Sequence, residues 1–219
     1  MRKFMFLALA VGLVLAASVA RADSVSFTLG TGNSDISGFP GPYGTATVTL
    51  LTPTTASVDF LADGGFEFGG VSSVDVNVNA TSWTLGLISV ANTGTFFTPG
   101  PATDGGSGNV NGFGTFNQTI NSFDGYTHGE TEVQFTLTDT SGTWANAASV
   151  LTANSAGNTV AAHIFVCASD ICDSSVDALA TGFATNGPGE QKVPEPSSLS
   201  MLGLGAMGLL GFARRRMAG

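Results

Sequence analysis

The chain has 219 residues, 43% of them hydrophobic and only 11% charged, with 16 acidic residues against seven basic ones. Six of the seven bases lie near the two ends, so residues 23–193 carry 15 Asp and Glu against Lys192 alone, a formal charge of −14. That imbalance excludes nucleic acid as a partner, because binding a phosphate backbone needs clustered Lys and Arg.

The first segment, 1–22, has the order of an export signal. Arg2 and Lys3 precede an apolar run from Phe4 to Val19, and Ala20-Arg21-Ala22 offers small residues, Ala20 and Ala22, at the cleavage positions. The run has about 16 residues where a spanning helix needs roughly 20. A signal helix cleaved after Ala22 is therefore predicted, with export through the Sec machinery and a mature chain beginning at Asp23.

Residues 23–190 suit one domain with a core of its own. Period-two alternation predicts strands at Val25 to Leu29, Tyr43 to Leu51, Ala56 to Ala62, Val74 to Val78, Trp83 to Val90, Glu132 to Thr138 and Val160 to Cys167. In the fourth, Val74, Val76 and Val78 point to a core, and Asp75 and Asn77 are expected to face water. Glycine, proline and aspartate clusters mark turns at 38–42 and 63–65, and the polar run 99–111 reads as a long loop. Trp144, Ala147, Ala148 and Leu151 recur at helical spacing and predict a short helix or turn within 143–154. The expected class is mainly β, an antiparallel β-sandwich or jelly-roll-like body. Cys167 and Cys172 are the only cysteines; outside the cytoplasm they can pair as a disulfide, and they supply too few ligands for zinc.

The last segment, 191–219, runs Val193-Pro194-Glu195-Pro196, then apolar residues from Leu199 to Ala213, then Arg214-Arg215-Arg216. Two prolines hold the backbone extended around Glu195 and defer any helix until after them. The 15 apolar residues span about 22 Å as a helix, close enough to a hydrocarbon core for snorkelling arginines to complete the span. A C-terminal transmembrane helix is thus predicted, with the arginines cytoplasmic and the body outside.

This tail resembles the PEP-CTERM sorting domain of Gram-negative exported proteins, with Pro194, Glu195, Pro196 and Arg214, Arg215 and Arg216 each matching its pattern. The resemblance implies an exosortase, a membrane protease, as processing partner, and association of the body with exopolysaccharide or biofilm matrix. Tails of this kind are also labelled ice-binding protein C-terminal domains, a description of the tail and not of an activity. A weaker resemblance to small exoproteins of the same kind rests on Ala161 to Val166 and Thr181 to Ala184, and implies no activity.

Catalytic signatures are missing from the body: there is no G-x-S-x-G elbow, no H-E-x-x-H helix and no phosphate-loop lysine. A G-x-G-x-x-G at Gly203, Gly205 and Gly208 lies in the apolar tail and follows no βαβ pattern. No enzyme, cofactor or metal site is expected, with His128 beside Glu130 the least poor acid–base pair. Calcium has two candidate turns, Asp63-Gly-Gly-Phe-Glu67 and Asp104-Gly-Gly-Ser-Gly-Asn109, through hard oxygen ligands. Trp83, Trp144, Tyr43 and Tyr126 are candidate platforms for sugar rings in a carbohydrate-binding alternative. Thr45, Thr47 and Thr49 form one row of three, which ordinary exposed strand threonines explain.

Overall fold

A computed structural model describes residues 23–94, 97–123, 125–172 and 177–187, and the backbone of Val193–Pro194. The expected signal helix, the Pro-Glu-Pro motif beyond Pro194 and the apolar tail fall outside the described residues.

The regular structure of the described residues is almost entirely strand: β1 (Asp23–Thr28), β2 (Thr31–Gly32), β3 (Gly44–Thr52), β4 (Thr55–Ala62), β5 (Phe66–Phe68), β6 (Val74–Val76) and β7 (Trp83–Leu85). There follow β8 (Ser89–Ala91), β9 (Thr103–Val110), β10 (Gly114–Asn121), β11 (Glu132–Asp139), β12 (Val160–Val166), β13 (Ala180–Thr185) and β14 (Val193–Pro194). Helical turns are three short 3-10 segments, Ser34–Ile36, Tyr126–His128 and Ala147–Ser149. Among the described residues no helix is long and apolar enough to cross a membrane.

The strands form two antiparallel sheets. In the first the order is β14-β1-β3-β4-β11-β7, with β8 also on β11; in the second it is β2-β13-β12-β6-β10-β9, with β5 also on β12. Alternation decides which side chains meet between them. Ala46 and Val48, Val58 and Phe60, and Val133, Phe135 and Leu137 come from the first sheet, and Val74, Val76, Val160, Ala162 and Ile164 from the second. All are buried in one cluster, and burial at about 25 cal/mol per Å² makes it the main stabilising element. Phe60 joins the sheets, its ring 6.2 Å from Phe68 edge-on and 6.4 Å from Phe135 stacked. Thr52 Oγ1 closes the β3–β4 hairpin by accepting from the Thr55 amide at 3.0 Å.

Four departures from the sequence reading have physical causes. The polar run 99–111 is not a loop; most of it is β9, paired along β10. Glycine permits this, since a Cβ on Gly108 would stand 2.7 Å from Thr119 Oγ1, and apolar–polar alternation cannot mark a strand whose residues before Val110 are all glycine or polar. The segment 143–154 forms only the turn Ala147–Ser149, because Trp144, Asn79 and Thr152 amides bond across to Pro53, Val150 and Asn77 carbonyls instead of along a helix. The stretch 83–90 breaks into β7 and β8. Asp75 is 1% exposed, not solvent-facing, because further chain covers the outer face of β6 as well.

Candidate functional site

The tail joins the body at a defined place. Val193–Pro194 forms β14 and pairs antiparallel with β1, Pro194 opposite Val25 and Val193 opposite Ser26. A proline lacks the amide donor, so it is tolerated at a sheet edge. Asp23, the first residue of β1, accepts a 2.6 Å hydrogen bond on Oδ2 from the Ala147 amide. Strand structure thus starts directly after the expected cleavage position, while Ala20, Ala22, Glu195, Pro196 and the arginines Arg214, Arg215 and Arg216 lie outside the described residues.

Within the body, the polar chemistry concentrates in three buried carboxyl groups. Glu67 on β5 is 1% exposed and Glu130 is fully buried. Glu130 accepts from Ser73 Oγ at 3.0 Å and from Ser122 Oγ, and its backbone bridges Phe68 in both directions at 2.8 Å. Glu67 Oε1 accepts from Asn92 Nδ2 at 2.8 Å, and its Oε2 has no partner. Asp75 Oδ1 accepts from Thr119 Oγ1 at 2.8 Å. No lysine or arginine occurs among the described residues, so every donor to these carboxyls is neutral. Burial therefore pushes each of them up to about 7. Asp139 behaves oppositely: hydrogen bonds from the Ser141 amide and hydroxyl and the Gly142 amide hold it below the usual carboxylate range.

The sequence candidates for chemistry are not assembled. Glu130 is buried on its serines, whereas the His128 ring meets the Thr98 carbonyl at 3.1 Å and the Phe123 ring at 4.5 Å. His163 lies on β12 with Nε2 2.7 Å from Thr181 Oγ1 and its ring stacked on Phe183. Asp104 Oδ1 is occupied by the Gly106 amide and Gln118 Nε2. Asp63, Glu67, Asn92 and Asp170 line a cleft of about 190 Å³. Among the described residues no group of three or more His, Cys, Asp or Glu stands close enough together to hold a metal.

Of the four candidate sugar platforms, two are core residues. Trp144 and Tyr43 are 3% exposed, their polar atoms donating to the Asn79 and Phe39 carbonyls at 2.9 and 2.7 Å. Trp83 and Tyr126 are half-buried; Trp83 Nε1 donates to Gln118 Oε1 at 3.0 Å, and Tyr126 packs edge-on against Phe97 and Phe165. Thr45, Thr47 and Thr49 sit opposite Thr28, Ser26 and Ser24 on β1, but Leu61 and Asp59 interrupt the array on β4. Cys167 and Cys172 are joined in a disulfide with Cα atoms 5.2 Å apart, beside Phe97 and Tyr126.

Sequence reasoning did not anticipate that Asp75, Glu67 and Glu130 are all interior. Nothing local signals it, because the covering chain comes from residues far away in sequence.

A body of two antiparallel sheets therefore leads, through β14, into a proline-flanked, arginine-ended segment. That segment defines the class: an exported protein sorted through a membrane-anchored step. The PEP-CTERM protein-sorting motif matches residues 192–216, so the chain carries a PEP-CTERM sorting domain and is a target for an exosortase. Comparison with curated proteins and with solved structures gave no match for the chain.

Proposed function

We propose that the body is a non-enzymatic β-sandwich with a structural or binding role at the cell surface or in the exopolysaccharide matrix of a Gram-negative bacterium. The observation that carries this reading is the sorting motif at 192–216, since a tail processed at the membrane delivers its body outward. On this reading the Sec machinery exports the chain and residues 1–22 are removed. The apolar segment 199–213 then inserts while its arginines stay cytoplasmic, and exosortase acts at Pro194-Glu195-Pro196.

Intact mass of the protein from surface and medium fractions tests this. A chain beginning at Asp23 and ending near residues 194–196 is expected, with Glu195→Ala holding the arginine-ended form in the membrane fraction. A chain that stays in the cytoplasm, or reaches the surface with its arginines attached, overturns the reading.

A second reading, a carbohydrate-binding module, draws on Trp83 and Tyr126, the two of the four candidate platforms that are only half-buried. A glycan array carried out with and without chelator separates the readings, because silence across neutral polysaccharides removes the second alone.

A further inference from the structure

A cleft of about 400 Å³ stands at the end of β11. Residues 78–81, between β6 and β7, form one wall, and Asp139 with 141–143 form the other. Its volume falls within the ~300–1,000 Å³ of small-ligand sites. Both walls are fixed by bonds across the fold. The Asn117 side chain meets the Val78 amide and carbonyl at 2.7 and 2.9 Å, and Trp144 Nε1 donates to the Asn79 carbonyl at 2.9 Å. Opposite, the Asp139 and Thr140 amides donate to the Thr54 and Ser82 carbonyls at 2.8 and 3.0 Å, and the Ser82 amide donates to Ser141 Oγ at 3.2 Å. The cleft is thus pre-organised, with little ordering left for a ligand to offset.

The lining is polar and carries one fixed charge. Asn79, Thr81, Ser141 and Thr143 are exposed, whereas Asp139 is 7% exposed. Three donors meet Asp139: the Ser141 amide at 2.8 Å, the Ser141 hydroxyl at 2.9 Å and the Gly142 amide at 2.8 Å. They hold the group ionised, and all three go to Oδ1. Oδ2 takes none of them. Gly142, itself on the cleft wall, leaves the space beside Oδ2 clear of any side chain; a Cβ there would stand 3.3 Å from that oxygen. Trp83, half-buried, is directly opposite Asp139 in the β7–β11 register, so the two side chains are neighbours on one face of the sheet.

We propose that this cleft binds one residue of a neutral polysaccharide, with Asp139 Oδ2 accepting from sugar hydroxyls and Trp83 beside it offering an apolar ring. The inference rests on the carbohydrate-binding reading of the body and gives that reading a place. A sugar hydroxyl both donates and accepts. The cleft answers both roles, with a carboxylate that only accepts and the Thr81 and Thr143 hydroxyls that do either. A hydrogen bond to an ionised acceptor is roughly twice as strong as a neutral one, so Asp139 is the anchor. Charge narrows the partner further. With no lysine or arginine among the described residues and a formal charge of −14 over 23–193, an anionic polysaccharide is repelled.

The test is affinity electrophoresis of the mature secreted protein through native gels cast with dextran, galactomannan or xyloglucan, run with and without chelator. Retardation by at least one of the three is expected in both conditions, and none in gels cast with anionic alginate. Asp139→Asn, and Gly142→Val, which covers Oδ2 but keeps the acid and its donors, should each weaken the interaction at least ~10-fold, the loss of one charge-assisted hydrogen bond. In the unaltered protein the retarding polysaccharide should slow amide exchange at 79–82 and 140–143, a readout that needs no variant to fold. Silence in all three neutral gels removes the carbohydrate-binding reading together with the site. Retardation that both variants retain, or that protects neither segment, or that Tyr126→Ala alone abolishes, leaves that reading standing and overturns the site. Retardation seen only without chelator, or equally in alginate, overturns recognition by Asp139 as well.

Discussion

Thr119 Oγ1 donates to Asp75 Oδ1 at 2.8 Å across the β6–β10 pair, tying a 1%-exposed carboxyl to a 2%-exposed hydroxyl. The other oxygen of Asp75, Oδ2, has no partner within hydrogen-bond distance. A carboxyl in that setting is tolerated most easily when neutral.

The pH dependence of stability follows in sign. Asp75 titrates near 7 in the fold against an ordinary 3.8, so between those values the folded state binds more protons than the unfolded one. Stability should fall as pH rises through that window and level off above it. Urea denaturation is expected to give a lower midpoint at pH 8 than at pH 4. Asp75→Asn should flatten part of the slope, each pKa unit being worth ~1.4 kcal/mol. Stability that rises from pH 4 to pH 8 contradicts the assignment.

Trp144 is the largest side chain of the 143–154 segment and fills the end of the core under Asn79. Trp144→Ala should cost about 3–5 kcal/mol by leaving a cavity and freeing the Asn79 carbonyl. Trp144→Phe should cost less, near the ~1 kcal/mol of the lost hydrogen bond. Equal midpoints for both variants in urea would show that packing there contributes little.

Gly129 has φ −63°, open to any residue, so its requirement is steric rather than conformational. Gly129→Ala places a methyl against Glu67 Cδ and Oε2, and is expected to destabilise by about 1–3 kcal/mol while loosening the turn before β11 first. Exchange mapping should locate the loss at 126–130. A uniform loss across both sheets would point to a different cause.

The Cys167–Cys172 bridge closes a short loop, for which chain entropy gives about 2 kcal/mol. Cys167→Ser/Cys172→Ser should lower the urea midpoint by that amount and leave both sheets formed. In the unaltered secreted protein, a thiol-alkylating reagent should react only after reduction.

Much of the fold was legible locally. Alternation located β1, β3, β4, β11 and β12, because an antiparallel strand with one core face writes a period of two into its residues. The tail was legible for a related reason: proline geometry, an apolar run and terminal arginines act in order along the chain and need no tertiary contact. β9 was illegible because glycine and polar residues fill it up to Val110, leaving no apolar face to alternate. The helical spacing at 144–151 misled because those residues are buried by cross-chain hydrogen bonding rather than on a helix face.

The sequence by itself determined an exported, strongly acidic, mainly β protein with a sorting tail, since charge count, alternation and motif order are properties of the chain alone. Only the tertiary structure decided that Asp75, Glu67 and Glu130 are interior and that His128 and Glu130 part company. Burial is set by which distant strands cover a residue. In a body without lysine or arginine among its described residues, that covering raises Asp75, Glu67 and Glu130, while amide and hydroxyl donors hold Asp139 down.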